Sequence, residues 1–242
     1  MTVLWRPLVA SSAVVTASAL ARLEAAGTAT RPLRRRLFPR LAGYGDAGHV
    51  ALTFDDGPDP AGTPAILDVL AERDVQATFF LLGSMAAAAP GLAREVAAAG
   101  HQVAIHGWTH RSMMLQGPRA IRADLARARD TVAEITGQDP AWFRPPYGIL
   151  TTGAFVAARR LGLRPVLWTS CGWEWQRGAT ATTVFTTLRR TLDDGGTVLL
   201  HDSDQQARPG SVRAVRAALP MLLAECSRRQ LTVGPLSKHG LR

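Results

Sequence analysis

The stretch ALTFDDGPDP, residues 51–60, sets three carboxylates and two prolines directly behind an apolar run. A strand that stops on two adjacent acids, Asp55 and Asp56, has a plain explanation, because Asp, Gly and Pro are ordinary turn residues. The alternative is that the strand delivers the acids to an edge where other parts of the chain meet them. What the rest of the sequence brings there decides between the two.

From His49 onward, strand-like and helix-like segments alternate. Strands are expected at HVALTF (49–54), ATFFLL (77–82), HQVAIH (101–106), AWFR (141–144), RPVLW (164–168), GTVLLH (196–201) and LTVG (231–234). Helices are expected near 61–73, 90–99, 118–136, 152–162, 180–192 and 211–229. This rhythm implies an α/β protein with a parallel sheet, either open or closed into a barrel. In both, functional residues collect at the carboxyl ends of the strands. Asp55 and Asp56 follow the first strand, His106 and His110 the third, Arg144 the fourth, Trp168 the fifth, and His201 with Asp202 the sixth. Scattered polar residues would not all choose one edge.

The chain has 242 residues, 47% hydrophobic and 19% charged, which suits one globular α/β domain. No repeat or linker divides it after residue 49, so residues 45–242 are read as one domain. Residues 1–44 are read as a basic leader or helical extension. Seven of its arginines stand against Glu24 and Asp46 before residue 50, which places +5 of the net +9 there. Zinc-finger spacing and basic patches interleaved with aromatics are absent, so no nucleic-acid partner is expected. The cluster RPLRRRLFPR suits either a solvated tail or contact with an anionic membrane or cell-wall surface. WRPLVASSAVVTASALA (5–21) loosely matches a signal peptide but is short and Ser/Ala-rich for a membrane span. An extracytoplasmic or membrane-associated location is favoured, with a cytoplasmic one left open. Cys171 and Cys226 are read as small buried residues, with a disulfide the lesser alternative.

In HGWTH (106–110), His106 and His110 stand four apart, and on one helical turn they would share a face and grip a cation. One carboxylate from Asp55 and Asp56 completes an Asp/His/His set that leaves room for water and substrate. That set suits zinc, with cobalt, nickel, iron or manganese also possible. The second carboxylate is then free to act as a base on the attacking water. His201 stands where it could protonate a departing nitrogen, Arg144 where it could brace the base, and the backbone amide of Tyr147 where it could polarise a carbonyl.

Together these residues resemble the polysaccharide deacetylase family, the NodB-homology or carbohydrate esterase family 4 domain, over about 49–234. TFDDGP (53–58), HGWTH, RPPYG (144–148) and LLH (199–201) follow the family's order. The resemblance implies a distorted (β/α)7 barrel. It implies Asp55 as general base, Asp56, His106 and His110 as metal ligands, Arg144 as the brace of the base, His201 as proton donor and Leu199 as lining of the acetyl pocket. The sequence departs from the pattern at two points. Gly107 replaces the usual Ser or Thr of the histidine motif. In CGWEW (171–175), aligned with D-x-x-D-W, Trp175 is kept, Glu174 replaces the second acid and Cys171 the first. The first acid is taken as the one that orients His201, so its loss is expected to leave His201 less basic unless Glu174, Asp202 or Asp204 substitutes.

The activity implied is metal-dependent removal of N-acetyl groups from an amino-sugar glycan, peptidoglycan or a chitin-like oligosaccharide, by a metal-bound water. Alternatives are an O-acetyl esterase acting on xylan, a deformylase of a lipid-linked sugar, and a glycan-binding domain that does not cut. The chain is read as a monomer. Trp108, Trp173 and Trp175 are candidates to stack on sugar rings.

Overall fold

The computed structural model describes residues 31–241, so the apolar stretch at 5–21 lies outside the described residues. Eight strands form one sheet: β1 (His49–Asp55), β2 (Thr78–Leu81), β3 (Gln102–Ile105), β4 (Trp142–Phe143), β5 (Arg164–Pro165), β6 (Ser170–Cys171), β7 (Thr197–His201) and β8 (Thr232–Gly234). Their order is β5-β4-β3-β2-β1-β7-β6, with β8 beside the first half of β1, and every pairing is parallel. The helices are α1 (Arg31–Leu37), α2 (Thr63–Glu72), α3 (Gly83–Ala88), α4 (Pro90–Ala98), α5 (Pro118–Thr136), α6 (Thr152–Arg160), α7 (Ala181–Thr191) and α8 (Ser211–Arg228). The architecture is the distorted (β/α)7 barrel.

β1 is buried over its whole length, as a central parallel strand covered on both faces should be. Its side chains alternate. Val50, Leu52 and Phe54 join the large core under the helices, whereas Ala51 joins a smaller cluster inside the barrel with Phe80, Ala104 and Trp142. Two residues on from Ala51 is Thr53, and two further is Asp55, so the alternation aims Asp55 into the barrel mouth. The register sets Asp55 level with His201 on β7.

The expected strand at 164–168 is cut to Arg164–Pro165, and Ser170–Cys171 forms a strand that the sequence pattern did not reveal. These two strands are the ends of the sheet path. The chain between them bonds the segment before β1: Leu167 N–H donates to Leu41 O at 2.8 Å, and Arg34 Nη2 to Trp168 O at 3.0 Å. On β7, Thr197 Oγ1 donates to Gly43 O at 2.7 Å. The segment from Arg34 to Gly43 therefore lies along the gap in the barrel. α1 and α3 are further elements that periodicity left unmarked. Both cysteines are buried and unbridged. Among the described residues no helix is long and apolar enough to cross a membrane.

Candidate metal centre and active site

Asp55 and Asp56 would face opposite sides if β1 simply continued. Instead Asp56 takes a left-handed backbone (φ 79), which ends the strand and turns both carboxylates toward the same mouth. Asp56 Oδ1 lies 3.4 Å from His106 Nε2 and 3.5 Å from His110 Nε2. The three side chains form the one group of metal-binding type found among the described residues.

The chemistry of this trio suits a cation. His106 Nδ1 donates to Arg144 O at 2.8 Å, which leaves the lone pair of its Nε2 facing Asp56. Burial holds both imidazoles neutral, with pKa values lowered to about 3. Asp56 Oδ1 is buried without a hydrogen-bond partner. Its pKa is raised to about 7, first by burial, against the pull of His201 and with the added push of Asp55 and Glu174. Three electron-pair donors thus converge on one point, where the only proton available is the one Asp56 holds below about pH 7. That arrangement is unfavourable alone and satisfied by a divalent ion.

Asp55 is braced from inside the barrel. Arg144 Nη1 donates to Asp55 Oδ1 at 2.7 Å and to Thr53 Oγ1 at 2.8 Å, and its Nη2 donates to Leu167 O at 3.1 Å. The guanidinium is fully buried, stacked 4.1 Å over the Phe80 ring. Asp55 Oδ2 is left toward the metal trio, 3.8 Å from His106 Nε2. Burial raises the Asp55 pKa and Arg144 opposes the rise without cancelling it, so the carboxylate keeps an appetite for a proton.

His201 stands level with Asp55 on the neighbouring strand. Its Nδ1 is 2.7 Å from Glu174 Oε1, and its Nε2 points into the site, 3.9 Å from Asp56 Oδ2. Burial alone would lower its pKa. The Glu174 hydrogen bond and charge, with Asp56 and Asp55, outweigh this and raise it to about 9. The expected weakening of His201 is thereby corrected. Cys171 leaves it intact because the orienting carboxylate is Glu174, which a left-handed turn at Trp173 (φ 55) carries back over β7. Of the substitutes considered, Asp202 bonds Thr63 Oγ1 at 2.6 Å and Asp204 caps α8 through the Gly210 and Val212 N–H groups.

Asp55, Asp56, His106, His110 and His201 line a cavity of about 330 Å³ with Tyr147, Gly148, Trp168, Trp173, Trp175 and Leu199. Trp175 packs edge-on against His201, and Tyr147 edge-on against His110. Gln206 and Ala207, from the loop after β7, also line it and carry no sequence signal of their own. Two other expectations fail. Residues 106–110 form no helical turn: Gly107 takes φ 92 and the chain bends, so a loop brings the two histidines together. Trp108 does not line the cavity. It packs against Gly83 and under the Arg127 guanidinium, 3.6 Å away.

A family model described as polysaccharide deacetylase matches residues 42–166. The chain is 34% identical over 214 residues to a chitooligosaccharide deacetylase of a Bradyrhizobium species, covering 83% of this chain and 95% of that protein. It is 36% identical over 154 residues to the peptidoglycan-N-acetylglucosamine deacetylase PgdA of Listeria monocytogenes, covering 63% of this chain and 32% of the relative. Among solved structures, the Bc1960 peptidoglycan N-acetylglucosamine deacetylase superposes with a TM-score of 0.75 at 27% identity, covering 81% of this chain and 90% of that one.

Proposed function

The chain belongs to the polysaccharide deacetylase family, and from that premise we propose that it is a metal-dependent hydrolase removing N-acetyl groups from an amino-sugar glycan. Chitin-like oligosaccharides and peptidoglycan are the two candidate polymers, by analogy with the relatives. One observation carries the proposal: two braced proton-handling groups, level with each other on adjacent strands, border the trio. Asp55 is tied by Arg144 at one oxygen, and His201 is tied by Glu174 at one nitrogen.

Asp56, His106 and His110 would hold the cation. The chemistry supplied there is Lewis acidity, which polarises the acetyl carbonyl and acidifies a water, with zinc first among the ions this ligand set suits. Asp55 takes the proton of the attacking water at Oδ2 while Arg144 fixes Oδ1. The water oxygen bonds to the acetyl carbon. As the carbon–nitrogen bond breaks, His201 Nε2 delivers its proton to the nitrogen, so a neutral amine leaves with acetic acid, which ionises to acetate in water; Asp55 then loses its proton to solvent and His201 regains one. The Tyr147 backbone N–H is assigned to the developing oxyanion, and Leu199 and Trp168 to the acetyl methyl group.

The protonation of His201 bears on amide against ester. An amide nitrogen leaves only with a proton, and Glu174 keeps His201 charged at neutral pH so that it has one to give, which suits the amide. Arg35, Arg36 and Arg40 stand exposed beside Leu37 and Phe38, an arrangement that suits an anionic cell-envelope surface. A monomer acting extracytoplasmically or near a membrane is part of the proposal.

The test is acetate release from N-acetylglucosamine oligomers and from acetylated xylan, with and without zinc, beside Asp55→Asn. Zinc-dependent release from the oligomers that the variant loses is the expected result. Bound zinc without release from either polymer would instead favour a glycan-binding domain.

A further inference from the structure

His106 and His110 are held by very different means. His106 closes a strand, and its ring is oriented by the hydrogen bond to Arg144 O. His110 sits four residues along a loop without regular structure, and its Nδ1 is buried with no hydrogen-bond partner. A metal-binding imidazole normally has that second nitrogen fixed by an acceptor. His110 lacks this device, so its position depends on how rigidly the loop backbone is held.

The loop is clamped from two sides. On one, Gly83 N–H donates to Gly107 O at 3.0 Å and Ser84 N–H to Trp108 O at 2.9 Å. On the other, α5 presents Asp124 and, three residues on and so on the same face, Arg127. Asp124 Oδ2 accepts the Trp108 N–H at 2.8 Å. Arg127 covers the Trp108 ring at 3.6 Å. Asp124 comes this close because residue 107 has no side chain. A Cβ there would stand 3.1 Å from Asp124 Oδ2, and the φ of 92 would strain any L residue. The departure from Ser or Thr at position 107 and the acid at position 124 are thus two halves of one arrangement.

We infer that Asp124 is a positioning residue for the metal centre, setting His110 through the Trp108 peptide, two residues before it, in place of a bond to the imidazole itself. The inference rests on the metal-dependent function proposed above. An acid that only stabilised α5 against the loop would affect melting and leave the centre's affinity unchanged.

The experiment measures Zn²⁺ affinity of the full chain by competition with a chromophoric chelator, and the visible spectrum of the Co²⁺ form. The proteins compared are wild type, Asp124→Ala, Asp124→Asn, Asp56→Asn and, on the exposed side of the same helix, Asp130→Asn. Loss of Asp124 is expected to weaken Zn²⁺ binding by about 10- to 100-fold and to shift the Co²⁺ bands. Asp124→Asn, which keeps one acceptor oxygen, should lose less, and Asp130→Asn should match wild type. An Asp124→Ala protein with wild-type affinity and spectrum overturns the inference. If that variant does not fold, Asp124→Asn decides in its place, and wild-type affinity and spectrum in it overturn the inference equally. Wild type that binds neither ion, or binds them as well as Asp56→Asn does, overturns the metal reading itself and the inference with it.

Discussion

Glu174 Oε1 lies 2.7 Å from His201 Nδ1, and this contact does most to reverse the sign of the His201 pKa shift, with Asp56 and Asp55 adding to it. Burial pushes the imidazole toward neutrality; the buried carboxylate holds it charged, with a pKa of about 9. Proton donation requires the charged form, so kcat/KM should fall as pH rises through about 9. Glu174→Gln keeps the shape and removes the charge. The alkaline limb should then move toward the ordinary histidine value, and the rate at neutral pH should fall about 10²-fold or more. A pH–rate profile of both proteins checks this, and an unmoved limb in the variant would remove Glu174 from the proton-donating pair.

Arg144 is fully buried and divides its two terminal nitrogens among Asp55, Thr53 and Leu167. Lysine carries the same charge on one nitrogen and cannot reproduce that fork. Arg144→Lys should therefore lose most activity, and Arg144→Met, which leaves Asp55 buried without its cation, should also destabilise the fold by about 3–5 kcal/mol. Denaturant unfolding beside acetate release separates the two effects. A Lys variant of near wild-type rate would show that the charge alone suffices.

The strand ends were legible in the sequence because a parallel sheet needs apolar runs and puts its polar residues at their carboxyl ends. That rule places Asp55, His106, Arg144 and His201 at one mouth. Local backbone reversals were not legible. Asp56, Gly107, Tyr147 and Trp173 all take positive φ, and each turns a neighbour to a place that linear spacing does not give. Four-residue spacing suggested a helical turn for the histidines, but the bend at Gly107 does the work. The orienting role fell to the wrong acid position for a similar reason. Cys171 is fixed in β6 opposite Leu199, whereas the turn at Trp173 frees Glu174 to reach His201. Asp124 had no signal at all, being one acid in a helix whose partner lies 16 residues away in sequence.

Gly148 marks the wall of the cavity. A Cβ at this position would lie 2.5 Å from Trp168 Cη2, and its φ of 67 disfavours any side chain. Gly148→Ala should push the Trp168 ring into the space assigned to the acetyl group. The expected outcome is a rise in KM or loss of rate of at least about 10-fold, with Zn²⁺ affinity unchanged because Gly148 touches none of the three ligands. Parallel kinetics and chelator competition test it, and an equal loss of metal affinity would place the damage at the centre rather than at the wall.

Metal binding itself should carry a simple pH signature. The two imidazoles, with pKa values of about 3, are already unprotonated well above that pH, whereas Asp56, at about 7, must give up a proton before it can bind. A proton held by the free protein and lost in the complex lowers affinity as pH falls. Zn²⁺ affinity should thus be nearly flat above about pH 7 and fall about tenfold per pH unit below it, with one proton released per ion. Calorimetry in buffers of differing ionisation enthalpy reads that proton directly. Release of two or more protons below pH 7 would show that a group besides Asp56, such as a ligand histidine, His201 or a bound water, gives up a proton as the ion binds, so that Asp56 alone does not set the pH dependence.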